Sequence, residues 1–193
     1  MNIILASKSG VRRKILIANK ISCEVIPSNI DEDMFKESLI NEGATPELIS
    51  KNLAELKANK VSKQNQDRLV LGADSVIDLN KELISKPKSR QEALEILKKL
   101  NGQKHQLISS VCISKNGSMI WNYTDKSELK MKNLSDGELK RYLEGIKTET
   151  LLAYGVYQIE AGGLNLFEYV KGDKDSIMGL PIKKIKEYLN NLT

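Results

Sequence analysis

Residues 69–75 read Leu69-Val70-Leu71-Gly72-Ala73-Asp74-Ser75, an apolar run that ends in an acid. A short run of this kind predicts a strand buried within a sheet. It delivers Asp74 at its end, where α/β sheets place ligand-binding and catalytic groups. Ser75 to Leu79 is expected to continue extended into a turn at Asn80-Lys81. Upstream, Thr45 caps a helix with Pro46 in its first turn, running to about Lys63. Ser50, Leu53, Ala54, Lys57, Ala58 and Val61 fall on one face of it. Lys57 is the odd member: it either snorkels past the apolar stripe to water or points its ammonium at something anionic.

Working outward, Ile3 to Ala6 predicts a first strand, followed by the polar turn Ser7-Lys8-Ser9-Gly10 and a helix to about Lys20. Cys23 to Pro27 reads as a second strand, and Asp31-Glu32-Asp33 opens a helix ending near Gly43, where early acids suit the helix dipole. Ser89 with Glu92, and Ser135 with Glu138, have capping-box spacing for helices ending near Leu100 and Leu143. Between them the chain alternates from Gln103 to about Lys132 around Asn116-Gly117, a hairpin signal. A last helix is expected from about Leu180 to Leu192. With no internal repeat and no linker rich in Pro, Gly or Ser, residues 1–193 are expected to form a single α/β domain. A mixed sheet that includes a hairpin, in one elongated domain of two lobes, is expected.

The 193 residues are 40% hydrophobic, 28% charged and 5% aromatic, which excludes collagen-like, low-complexity and largely disordered chains. A net charge of +5 suits an anionic ligand. The basic residues occur singly or in pairs with few aromatics between them, a weak footprint for nucleic acid. Cys23 and Cys112 lie far apart in apolar runs and read as reduced thiols; His105 is the only histidine, so a zinc site is set aside and any metal would be held by oxygen. No signal-peptide pattern opens the chain and no apolar run approaches the ~18 residues of a membrane span, so a cytoplasmic location is expected.

Several residues could carry chemistry. Ser7, Ser9 and Gly10 precede a helix, with Arg12 and Arg13 one turn in. They read either as a phosphate cradle, where hydroxyls, free N–H groups and guanidinium forks converge, or as an ordinary cap with two solvated arginines. The turn is not a Walker A loop. Asp74 could hold a divalent metal, take a proton from an attacking water, or simply cap its turn. Asp31 and Glu32 offer further oxygen ligands, although acids at a helix start usually serve as caps. Lys86 before Pro87 says little alone, and His105 has no triad partner in motif spacing.

Taken in order, these segments resemble the Maf family of nucleotide pyrophosphatases, also called septum-formation proteins, over nearly the whole chain. Leu5-Ala6-Ser7-Lys8-Ser9-Gly10-Val11-Arg12 is similar to the family's opening L-A-S-x-S-P-R-R, and Leu53 to Ala58 to its L-A-x-x-K-A helix. Leu71 to Ser75 matches its G-A-D-T, Ser85-Lys86-Pro87 takes the place of G-K-P, Leu100 to His105 matches L-x-G-x-x-H, and Gly179-Leu180-Pro181 matches the closing G-L-P. Val11 stands where one family arginine is expected, with Arg13 nearby as a partial substitute. Tyr157 stands where the family has a glutamine, and Gln158 follows it.

The resemblance implies a Maf/ITPase-like α/β fold, a central mixed, twisted sheet flanked by helices with two lobes around a cleft, and hydrolysis of a nucleoside triphosphate, standard or modified, to monophosphate and pyrophosphate, with Mg²⁺ or Mn²⁺ as cofactor. It implies Asp74 as proton acceptor and metal ligand, Glu32 as a second ligand, and Ser7, Ser9, Arg12, Arg13, Lys57, Lys86 and Gln158 around the substrate. A cytoplasmic housekeeping role and pairing into homodimers follow from the same resemblance. The alternative is a nucleotide-binding regulatory protein with little turnover. A nucleic-acid-binding accessory protein is a further alternative, motivated by the net charge.

Overall fold

A computed structural model describes residues 2–159 and 162–192. The expected first unit is present as β1 (Asn2–Leu5), α1 (Gly10–Ala18) and β2 (Ser22–Val25), with β2 parallel to β1. α2 (Glu32–Asn41) starts where Asp31 accepts a hydrogen bond from the Met34 N–H, and α3 (Pro46–Gln64) starts at Thr45 in the same way. β3 (Val70–Leu79) and β4 (Glu82–Ile84) form a hairpin through Asn80 and Lys81, both at positive φ. α4 (Arg90–Leu100) is capped by Ser89, but the Glu92 carboxylate reaches the Lys88 N–H rather than that of Ser89. β5 (Lys104–Lys115) and β6 (Ser118–Met131) turn at Asn116 and Gly117 with φ of 53° and 83°, the two left-handed positions of the expected tight hairpin. α5 (Asp136–Glu144) carries the complete capping box of Ser135 and Glu138.

Beyond α5 lie elements that periodicity did not announce: α6 (Thr148–Tyr154), β7 (Phe167–Lys171) and α7 (Lys174–Ile177). They are too short for a helical or alternating pattern to stand out, and tertiary packing holds them. α8 (Ile182–Asn190) begins two residues later than expected because Pro181 occupies the position before its first turn.

The sheet order is β2-β1-β3-β5-β6-β7, with β4 on β3. β1 is parallel to β3, while β5, β6 and β7 continue antiparallel, so the sheet is mixed, as expected. Its long strands serve two large hydrophobic cores, beside two smaller clusters under α3. Leu71, Ala73, Val111 and Ile113 pack with α1 and α8 residues such as Leu16 and Ile185, whereas Leu79, Leu107, Leu129 and Met131 pack with α4 and α5 residues such as Leu97 and Leu139. These are the two lobes.

Asp74 is therefore not at the end of a strand: β3 runs five residues past it. Ser75 to Leu79 is extended as expected, but as part of the same strand, which crosses from one core to the other; the polar stretch at the crossing only looks like a terminus.

Candidate active site

β1 pairs with β3 only as far as Leu71, and β4 pairs with it only from Ile77. Among the described residues, no strand covers that edge of β3 between the two. A cleft of about 470 Å³ opens there, walled by the turn after β1, α2, α3, β3 and the segment after α6. The break between the two cores thus becomes a site.

Gly72 sets its depth. α3 crosses β3 so closely that a Cβ on Gly72 would lie 2.2 Å from the Ala54 carbonyl oxygen. On the same strand face, two residues on, Asp74 meets Lys57, which lies one helical turn after Ala54. The Lys57 ammonium donates to Asp74 Oδ1 at 2.8 Å and contacts Glu32 Oε1 at 2.9 Å. The side chains of Lys57 and Asp74 are each 7% exposed, so Lys57 does not snorkel to water. It bridges two carboxylates from different elements. Burial raises the Glu32 pKa, but Lys57, then Lys36 and Lys86, more than offset it and hold the group below the ordinary glutamate value. Asp74 Oδ2 is buried and has no hydrogen-bond partner among the described residues.

The turn after β1 closes one side. Ser9 caps α1 by accepting from the Arg12 N–H, and Ser7 accepts from the Ser9 N–H. Arg12 spans the open edge of β3: Nη1 donates to the Ala73 carbonyl at 3.0 Å and to Ser7 Oγ, Nη2 donates to Ser75 Oγ, and Nε donates to the Gly179 carbonyl at 3.0 Å. Desolvation lowers its pKa against the pull of Asp74 and Glu32. Arg13 is exposed and lies outside the cleft lining, with Cys23 among its electrostatic neighbours. Successive helical residues point about 100° apart, so Arg12 and Arg13 cannot share one wall. Lys86 lines the cleft from the segment after β4, beside α2, where Lys88 lies 3.7 Å from Asp33. Lys86 is exposed overall, yet desolvation of its ammonium and the nearby Arg12 cation lower its pKa.

Gln158 and Tyr157 form part of the wall after α6, and the Gln158 side-chain amide donates to the Gly155 carbonyl at 3.4 Å. The Tyr157 hydroxyl pairs with His105 Nε2 at 3.0 Å, and its ring meets Phe167 edge-on. Burial, with a smaller effect of Tyr142, raises the Tyr157 pKa. His105 supports the cleft wall from behind.

Burial lowers the His105 pKa from 6.5 to about 4. The unfolded chain therefore binds more protons between those values, and stability present above pH 6.5 is lost on acidification. The loss at pH 4 is expected to be about 3 kcal/mol. Urea midpoints measured from pH 7 to pH 4 should fall in the wild type and lose this component in His105→Gln; parallel profiles would refute it.

Lys36 was missed by the sequence reading. It lines the cleft from α2, 3.9 Å from Glu32. The only sequence signal was its position four residues after Glu32, on the same helix face.

Among the described residues, the carboxylates of Asp74 and Glu32 are the acidic oxygens lining the cleft. No group of three or more His, Cys, Asp or Glu residues that could hold a metal occurs among the described residues. The donor set, including the unpartnered Asp74 oxygen, fits a hard cation that takes most of its ligands from water and phosphate. It does not fit a zinc site.

Fold and cleft together define an α/β protein whose cleft gathers Arg12, Lys36, Lys57 and Lys86 around a buried acid. The chain belongs to the Maf-like protein family, whose model it matches over residues 2–192. It is 65% identical over 187 residues to a nucleoside triphosphate pyrophosphatase of Pelagibacter ubique, covering 97% of this chain and 96% of that relative. It is 35% identical over 182 residues to a 7-methyl-GTP pyrophosphatase of Brucella abortus, covering 94% and 92%. Among solved structures, it is partly similar to a nucleoside-triphosphatase, dITP/XTP pyrophosphatase, of Mycobacterium abscessus. That match has a TM-score of 0.45 and 11% identity, and covers 100% of this chain and 98% of that one. No helix among the described residues is long and apolar enough to cross a membrane.

Proposed function

We propose that this protein hydrolyses a nucleoside triphosphate between its α and β phosphates, releasing monophosphate and pyrophosphate. Its relatives' names and its family membership make it a hydrolase of nucleoside triphosphate anhydrides. The observation that carries the reading further is the Asp74 carboxylate, with one oxygen gripped by Lys57 and the other without a protein partner, in a cleft that also holds Arg12, Lys36 and Lys86. An α phosphorus surrounded by anionic oxygens repels a nucleophile, so the chemistry needs fixed positive charge and a base for water.

In this reading Lys57 orients Asp74, and Asp74 takes the proton from the attacking water. Arg12 holds the turn after β1, the open edge of β3 and the Gly179 turn at fixed spacing, so that the Ser7–Gly10 turn faces the phosphates. Lys86 supplies further charge from the segment after β4, and Gln158 approaches the nucleoside. Asp74 and Glu32 would hold Mg²⁺ or Mn²⁺, which would neutralise charge developing on the phosphate oxygens. The role would be removal of surplus or modified nucleotides from the pool.

The test is to incubate the purified protein with standard and modified nucleoside triphosphates, 7-methyl-GTP among them, plus Mg²⁺ or Mn²⁺, and to assay pyrophosphate and free phosphate separately. Pyrophosphate as the primary product is expected. Nucleotide binding with no product from any substrate would overturn the reading in favour of a regulatory binding protein.

A further inference from the structure

α2 is built against the usual rule for a surface helix. None of its residues is buried, and its Met34 and Ile40 are 66% and 49% exposed. Its Lys36 side chain, by contrast, is only 13% exposed and faces the cleft together with Glu32. A helix that leaves a methionine in water while turning a lysine inward gains no stability from the exchange. Burying an ammonium costs free energy unless an anion meets it.

The anion inside the protein is incomplete. Glu32 gives its close contact, at 2.9 Å, to Lys57, and reaches Lys36 only at 3.9 Å. The other cations of the cleft are differently placed. Arg12 spends four hydrogen bonds on protein oxygens and Lys57 is held between Glu32 and Asp74. Lys36 and Lys86 are left with charge to spare, on α2 and on the segment after β4, adjoining parts of the cleft wall that Lys88 and Asp33 join at 3.7 Å.

Resting on the function proposed above, we infer that Lys36 is a substrate-binding residue that pairs with the polyphosphate chain of the triphosphate, alongside Lys86. Arg12 and Lys57 then serve chiefly to hold the walls and the acid in place. Glu32 fixes the start of α2 on Lys57, and Lys36, one turn later on the same face, is placed to meet a phosphate oxygen entering the cleft.

The experiment uses inorganic tripolyphosphate, pyrophosphate and monophosphate as probes, so that it does not depend on the base, with affinities measured by calorimetry on the full chain. Lys36→Met is expected to weaken tripolyphosphate binding by about 10- to 100-fold, the cost of losing one charged hydrogen bond. Monophosphate binding should change less, and Lys36→Arg should restore most of the loss. In steady-state assays KM should rise more than kcat falls. Tripolyphosphate affinity within twofold of wild type in Lys36→Met would overturn the inference. A wild-type protein that neither binds tripolyphosphate nor cleaves any nucleoside triphosphate would instead overturn the function on which it rests. As a check independent of any variant, saturating tripolyphosphate should slow amine acetylation of Lys36 in the wild-type protein, read by peptide mass spectrometry; no protection there would also count against it.

Discussion

Asp74→Asn should lower kcat for pyrophosphate release by about 10²- to 10⁴-fold, the range expected when a general base is lost. The amide is nearly isosteric, and its oxygen can still accept from Lys57, which also keeps Glu32 as a charged partner at 2.9 Å. The fold and most of the tripolyphosphate affinity should therefore survive. The expected pattern is normal melting, near-normal binding and almost no turnover. Turnover within tenfold of wild type in the folded variant would remove Asp74 from the role of base. Loss of binding with turnover in proportion would make it a ligand-positioning group instead.

The largest effect on stability is expected from Gly72→Ala. The added methyl would lie 2.2 Å from the Ala54 carbonyl oxygen and 2.8 Å from the Ala58 backbone nitrogen. Both are backbone atoms of α3, so no side-chain rotation relieves the overlap, and either the helix or the strand must move. Overpacking of this kind costs about 3 kcal/mol or more. A shift of α3 also draws Lys57 away from Asp74, so the variant should lose activity even in the fraction that folds. The urea midpoint and the specific activity of the soluble protein measure the two effects. A midpoint change equivalent to less than about 1 kcal/mol would mean that α3 and β3 are not in close contact at this point.

Local signals worked well where the physics is local. Asp31, Thr45, Ser89 and Ser135 each accept from a backbone N–H three residues on, and Asn116-Gly117 adopts the left-handed pair that a tight hairpin needs. The buried face of α3 was legible from spacing, with Ser50, Leu53, Ala54, Lys57, Ala58 and Val61 all inside. The short elements after α5 were not. A strand of five residues and a helix of four contain too few periods to reveal a face.

The candidate site was partly legible. Asp74, Lys57, Lys86, Glu32, Ser7, Ser9, Arg12 and Gln158 all line one cleft, whereas Arg13 does not. The resemblance placed Lys57's charge on phosphate, but its close neighbours are two carboxylates. Lys36 carried no motif, and its meaning depends on which way α2 faces. Tyr157 is explained by His105, 52 residues away in sequence, and no spacing rule links the two.

By itself, the sequence determined the main helices and strands as far as α5 and the final helix, most of the caps and turns that bound them, the α/β class and the residue types available for phosphate chemistry. These depend on interactions within a few residues, or on a periodicity readable along one segment. Only the tertiary structure decided that β3 crosses from one core to the other with its edge open at Asp74, that Lys57 is consumed by two acids, that Arg12 clasps three segments, and that Lys36 turns inward. Those features arise from strand order, from the distance between α3 and β3, and from charges brought together across long stretches of chain. They are properties of contacts between segments, which no single stretch of sequence contains.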